Sequence, residues 1–320
     1  MICDLFEGPA PYRPRYTIPD YSLALKNGSP YLNLPPPTDL EEAIHFLLNL
    51  YQYIPSITGY PVYIGDVDSL LESFVLKDLE KRSRSDVKRT LSLFWRSIDR
   101  LFPDAFLHAN LGPAPSETAL LLLEVDRELK QTVPNLTLKY EPGVTPDHLL
   151  SEGVRTCLVT AKPHFLNHVM ATSHLGSRYG VASCYNSLKC GGGAHTLVRL
   201  NLKKVADRIT TDQETFLKED LPRYIASTLE VMEGRIRYLV EESRFFESHF
   251  LVKENLLRLQ DFSAMFGIFG TAELVNALMR LSGSSARYGK NFEVTLLNPL
   301  SHTYILYFLT FSALFPFSFA

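Results

Sequence analysis

Arg178-Tyr179-Gly180-Val181-Ala182-Ser183-Cys184-Tyr185-Asn186-Ser187-Leu188 is a short β-forming run that carries a cysteine, and Cys190 with Gly191-Gly192-Gly193 follows at once. The β-favouring approach holds the thiol at a fixed point, and the glycines admit positive φ and let backbone pass close to a ligand. A thiol at the tip of a glycine-flanked turn is placed for chemistry, although an isolated cysteine more often serves as a small buried hydrophobe. The three glycines read as a flexible turn, because no Lys-Ser or Lys-Thr follows them as a phosphate-cradling loop requires.

Outward from this stretch the pattern alternates between helix and strand. Thr38-Asp39-Leu40-Glu41 reads as a capping box that opens the helical spacing Ala43, Ile44, Leu47, Leu48, Tyr51. Further helices are expected over 84–101, 116–130, 147–159 and, longest, 212–246. Strands are expected over 135–140, 179–184 and 195–202, with helical material between them as βα crossovers need. These three runs are expected to join one parallel sheet or half-barrel, with ligand groups on loops at the strands' carboxyl ends and Cys184 ending one strand.

The 320 residues are 46% hydrophobic and 12% aromatic, enough for a substantial core. A formal charge of −3 offers no basic face for phosphate backbones and disfavours nucleic acid, so a small-molecule substrate is expected. Cys3, Cys157, Cys184 and Cys190 lack zinc-site spacing and follow no signal peptide, which points to reduced thiols in the cytoplasm and no metal. Residues 1–37 are rich in proline and read as an extended arm over a folded body. The stretch from Tyr304 to Ala320 is apolar and aromatic but short for a membrane span and broken by Pro316. Residues 291–320 therefore read as a divergent tail or as the product of a truncation or frameshift.

Other polar residues stand in apolar surroundings. Pro163-His164-Phe165-Leu166-Asn167 is expected to form a turn whose imidazole and amide orient a substrate, or cap a helix. Phe106-Leu107-His108-Ala109-Asn110-Leu111-Gly112-Pro113 reads as a similar loop; His108 and Asn110 are binding candidates there, with a structural turn as the simpler reading. Glu273 falls in the first turn of an expected helix, where a carboxylate complements the dipole.

The order Pro134-Asn135-Leu136-Thr137, Lys162-Pro163-His164-Phe165-Leu166-Asn167, Tyr179-Gly180-Val181-Ala182-Ser183-Cys184 and Leu197-Val198-Arg199-Leu200-Asn201-Leu202 resembles the amino-terminal half-barrel of glycyl radical enzymes. Asp4-Leu5-Phe6-Glu7-Gly8-Pro9-Ala10-Pro11-Tyr12, Ser183-Cys184-Tyr185-Asn186-Ser187-Leu188, Phe250-Leu251-Val252-Lys253-Glu254 and Ala286-Arg287-Tyr288-Gly289-Lys290 are similar to the YjjI family in particular. The resemblance implies a helix-rich α/β fold with parallel strands, the cysteine-loop half of a barrel, over 38–290. It also implies a chemistry. A radical-SAM activase, using S-adenosylmethionine and an iron–sulfur cluster, installs a glycyl radical; that radical takes the thiol hydrogen of Cys184; and the thiyl abstracts hydrogen from a small metabolite. The barrel's part is to position and to exclude water. His164, Asn167 and Asn186 would line the approach to Cys184.

Two departures qualify these implications. Many enzymes of the superfamily carry Cys-x-Glu, whereas Tyr185 and Asn186 follow Cys184, so a carboxylate base is missing there. No Arg-Val-x-Gly-Tyr glycine loop occurs in the sequence. The chain is thus expected to be a truncated member that is silent alone; one competing reading has a separate chain supply the glycine loop. The alternatives are a non-catalytic half-barrel that binds a small molecule or competes for the activase, and a protein tethered to a membrane by its tail.

Overall fold

The computed structural model describes residues 2–3, 13–58, 62–101, 107–182, 186–285 and 287. Two units divide them: Arg13–Ala194 with Arg244–Phe262, and Met1–Tyr12 with His195–Ser243 and Ser263–Ala320. In chain order, strand β1 (Ile2–Cys3) is followed by β2 (Tyr16–Ile18) and by helices α1 (Tyr21–Asn27) and α2 (Leu40–Thr58). Within the stretch expected as an extended arm, α1 is capped by Asp20, whose side chain accepts the Leu23 N–H. The N-terminus of α2 is capped one residue later than the sequence suggests. Asp39 accepts from the Glu42 N–H at 2.8 Å as the cap, and Glu42 reaches one residue past it to accept from the Thr38 N–H and hydroxyl, each at 2.8 Å.

A parallel βα series then builds the larger unit. β3 (Val62–Asp66), α3 (Val67–Leu79), α4 (Arg84–Leu101), β4 (Leu107–Leu111), α5 (Glu117–Leu129), β5 (Asn135–Tyr140), α6 (Asp147–Thr160), β6 (His164–Asn167) and α7 (His168–Leu175) follow one another, and the strands form one sheet in the order β3-β4-β5-β6. The sequence-based helices over 84–101, 116–130 and 147–159 therefore stand. Two expected turns do not: residues 107–111 are a fully buried strand whose polar and apolar side chains alternate with a period of two, and residues 164–167 are a strand paired in parallel with β5, half-buried at His164 and Leu166 and exposed at Phe165 and Asn167. Lys162, just before β6, is buried with its Nζ on Asp126 Oδ1 (2.7 Å) and Pro134 O (2.9 Å). Trp95 Nε1–H donates to the same Asp126 oxygen, which ties α4 to α5.

The expectation that residues 135–140, 179–184 and 195–202 share one parallel sheet is overturned. β7 (Tyr179–Ala182) instead pairs antiparallel with β8 (Asn186–Lys189), from Tyr179↔Lys189 to Ala182↔Asn186. β9 (Gly192–Asn201) begins beside β2, with Ile18↔Gly192 and Tyr16↔Ala194. Of the three glycines expected as a turn, Gly191 lies in one, at φ 80°, whereas Gly192 and Gly193 open β9. A Cβ on Gly192 would lie 2.0 Å from Asp261 O, and one on Gly193 would lie 2.1 Å from Tyr16 O, so only glycine lets these backbones pass.

In the smaller unit, β9 from His195 onward pairs with β1 and neighbours β10 (Phe262–Phe269). Leu200, Leu202, Val205, Phe216, Leu221 and Leu274 form its core. The expected long helix runs from Gln213 to Glu242 with π-helical turns at Phe216–Asp220 and Tyr238–Glu242, and it stops before Phe246 because Arg244 is left-handed at φ 53°. Glu273 lies in the first turn of helix Thr271–Leu281, as expected. No helix among the described residues is long and apolar enough to cross a membrane. The tail 291–320 lies outside them.

Candidate functional site

The two faces of the parallel sheet differ in chemistry. Along β5, Leu136 and Leu138 point one way and Asn135, Thr137 and Lys139 the other; along β4, Leu107, Ala109 and Leu111 oppose His108 and Asn110. Leu138 faces the helices, since a Cβ on Gly153 of α6 would meet its Cδ2 at 2.8 Å. The register therefore collects a polar face in rows. Tyr63, His108 and Asn135 are partners in one row, and Asp66, Asn110, Thr137 and His164 in the next, nearer the carboxyl ends. Lys139 stands beyond them.

The β7–β8 hairpin is gripped at three consecutive residues by three strands of that face. Lys139 Nζ donates to Tyr179 O at 3.0 Å, lies 4.3 Å from the centroid of the Tyr179 ring, and pairs with Asp66 Oδ1 at 2.6 Å. Gly180 sits on the Tyr63 ring, where an added Cβ would come within 2.5 Å. Asn110, with no exposed surface, spends its whole amide on Val181: Oδ1 accepts the Val181 N–H at 2.7 Å and Nδ2 donates to Val181 O at 3.0 Å. β7 thus runs from the level of Lys139 to that of Asn110, toward the row of His108. Residues 183–185, Cys184 among them, lie outside the described residues.

The electrostatics of the face follow from burial. Desolvation, and next the neighbouring His164, pull His108 down to about 4, so its imidazole is neutral at pH 7 and Asn135 Nδ2 approaches its Nε2 at 3.4 Å. Burial raises Asp68, in the first turn of α3, to about 7 even though its Oδ2 accepts the Gly112 N–H at 2.8 Å. Burial likewise pushes the Cys190 thiol up to about 11, with Asp20 adding to it, which makes Cys190 a poor nucleophile. Cys157 and Cys190 carry free thiols. Among the described residues no cluster of His, Cys, Asp and Glu has metal-site geometry.

Of the residues singled out by sequence, His108, Asn110 and His164 share the polar face. Asn167 does not join them: it is exposed at the N-cap of α7 and accepts the Met170 N–H. Asn186 is half-buried at the first position of β8, opposite Ala182. Sequence reasoning missed Tyr63, Gly180 and Lys139 as the hairpin's grips and Asn135 as a companion of His108. The alternation Asn135-Leu136-Thr137-Leu138-Lys139 was the available signal for a polar face.

Similarity to known proteins extends along nearly the whole chain. The family described as glycyl radical enzyme YjjI-like matches residues 1–302. The protein YjjI of Escherichia coli is 44% identical over 291 residues, which are 91% of this chain and 55% of that protein. A protein of Haemophilus influenzae is 43% identical with the same coverage. The chain spans about half the length of these curated relatives. Among solved structures, the anaerobic ribonucleotide reductase of Thermotoga maritima with dATP in its specificity site superposes with a TM-score of 0.66 at 14% identity, over 83% of this chain and 53% of that one. A glycyl radical enzyme from Archaeoglobus fulgidus gives 0.60 at 14% identity, over 78% and 40%. These similarities confirm the α/β half-barrel, and the chain belongs to the YjjI-like glycyl radical enzyme family.

Proposed function

We propose that this chain presents Cys184 as the thiyl-forming residue of a glycyl radical enzyme that abstracts a hydrogen atom from a small polar metabolite. The observation that carries the reading is the grip on Tyr179, Gly180 and Val181, because hydrogen-atom transfer depends on holding the reacting atoms in place rather than on a shifted pKa. In the family a glycyl radical installed by a radical-SAM activase supplies the oxidising equivalent. An S–H bond is close in strength to the Cα–H bond it exchanges with, so the thiol needs no base.

In this reading Asn110, Lys139 and Tyr63 are positioning residues. The substrate is met by His108, Asn135 and His164, toward whose level β7 runs. Neutral His108 and the Asn135 amide offer hydrogen bonds without charge, which suits hydroxyl or carbonyl groups. Asn186 belongs to the hairpin, and Asn167 keeps its place as a helix cap. The glycine loop comes from a separate chain or from further sequence, and the reaction is cytoplasmic.

The test is anaerobic incubation with the activase, S-adenosylmethionine and the glycine-loop half of a relative, followed by mass spectrometry of a metabolite extract. A metabolite consumed by the native chain and left intact by Cys184→Ser is the expected result. Equal consumption by both would remove Cys184 from the chemistry, and retention of a metabolite on both without turnover would replace this reading with a binding module.

A further inference from the structure

Three buried tyrosines near the hairpin have described phenol partners, and one differs from the other two. Tyr21 donates its O–H to Tyr63 O at 2.6 Å, and Tyr51 donates to Ile64 O at 2.5 Å. A backbone carbonyl accepts a hydrogen bond but not the proton itself. The Tyr179 phenol instead lies 2.8 Å from His168 Nδ1, and Glu141 Oε2 lies 3.7 Å from Nε2 of the same ring. That carboxylate favours the tautomer with hydrogen on Nε2, which leaves the Nδ1 lone pair facing the phenol. Burial, and then Lys139, hold His168 below its ordinary value, so the ring is a neutral proton acceptor at pH 7. Tyr179 itself is 1% exposed, and burial pushes its phenol up, so no phenolate is present beforehand.

We propose that Tyr179 is a redox-active tyrosine: it gives up one electron as its phenolic proton moves to His168 Nδ1, leaving a neutral tyrosyl radical beside an imidazolium that faces Glu141. The ammonium of Lys139, 4.3 Å from the ring centroid, disfavours a cationic ring and so demands that electron and proton leave together. No comparable route exists for Tyr21 or Tyr51. Where the oxidant is the thiyl radical proposed above, the electron reduces sulfur to thiolate and the proton waits on His168 Nδ1 until the reverse transfer of both restores the thiyl. The strand Tyr179–Ala182 advances ~10 Å, so the phenol stands at the base of the cysteine hairpin as a resting place for an oxidising equivalent that finds no substrate. Only the identity of that oxidant rests on the reading of Cys184; the redox property does not.

The experiment therefore needs neither activase nor substrate. The chain is oxidised with photogenerated ruthenium(III) tris-bipyridine, freeze-quenched and examined by EPR, and surface phenols are removed as the background shared with Tyr179→Phe. A tyrosyl component missing from Tyr179→Phe, retained in Tyr21→Phe and Tyr51→Phe, is the expected result. His168→Ala should form that component about 10²-fold more slowly, the scale of a lost proton acceptor, and added imidazole should restore it. Glu141→Gln, at the surface and tolerant of change, should slow it less. A Tyr179→Phe spectrum equal to that of the native chain, or undiminished rates in both His168→Ala and Glu141→Gln, would overturn the proposal.

Discussion

Two buried lysines of the larger unit, each paired with an aspartate, serve different ends. Lys162 and Asp126 (2.7 Å) are closed in by Trp95, Thr160 and Pro134 O, and Asp126 has no exposed surface. Lys139 and Asp66 (2.6 Å) form an equally short pair, but the Asp66 side chain is 33% exposed and the remaining capacity of the ammonium goes to the cysteine hairpin. The first pair locks helices to the sheet and the second holds β7 to the sheet's polar face. The difference lies in where the partner carboxylate can go when the lysine is lost.

The comparison breaks most visibly at Lys162. Lys162→Ala strands a fully buried carboxylate and should cost about 3–5 kcal/mol by chemical denaturation, whereas the double change Lys162→Met with Asp126→Leu should recover much of it. A loss no larger than that of a surface lysine would mean that the helix layer does not depend on the pair.

How much of this was legible in the sequence follows from the same residues. Helices α4, α5 and α6 were, because an amphipathic period repeats over several turns and resists noise. The strands β3, β4 and β6 were not, since four or five residues carry too few repeats to separate strand from loop, and β3 and β4 are in addition buried on both sides. Cys184 was picked out by its glycine-rich surroundings and by family resemblance. The grips could not be, because Lys139, Tyr63 and Asn110 meet Tyr179, Gly180 and Val181 only through tertiary contact. Gly180 falls inside an expected strand, and nothing in its neighbours shows that its missing side chain leaves room for the Tyr63 ring.

Acid should separate the polar face from the helix layer. Below its ordinary value of 6.5, His108 stays neutral in the fold down to about 4 while the unfolded chain takes up the proton. The unfolded state then binds more protons, so stability falls as pH drops through this window, by on the order of 2–3 kcal/mol for this group alone. Urea midpoints at pH 7 and pH 4.5 should differ less in His108→Gln than in the native chain; an unchanged difference would remove His108 as a cause.

A smaller effect is expected where the hairpin touches Tyr63. Gly180→Ala forces a methyl into the ring and should cost about 1–3 kcal/mol. Tyr63→Leu in the same chain should relieve most of that cost, since the three atoms nearest the added methyl all belong to the Tyr63 ring. If the double variant is no better than the single one, the strain lies in the backbone of β7.

The least costly substitution for the fold is the most informative about the site. In Lys139→Met the Asp66 carboxylate can turn to water, so the loss of stability should stay within about 1 kcal/mol, the range of a partly exposed pair. Tyr179 O, however, loses its donor and the ring its cation, and β7 is left with the Asn110 clamp and the Tyr63 contact. Freer opening of the hairpin by about 1 kcal/mol corresponds to roughly fivefold faster alkylation of Cys184, read by peptide mass spectrometry against Cys157 in the same molecule. Lys162→Met, although far more damaging to the fold, should not change that ratio below its unfolding transition. Equal effects of the two lysines on the ratio would mean that the hairpin reports general loosening, and the distinction between a locking pair and a positioning pair would fall.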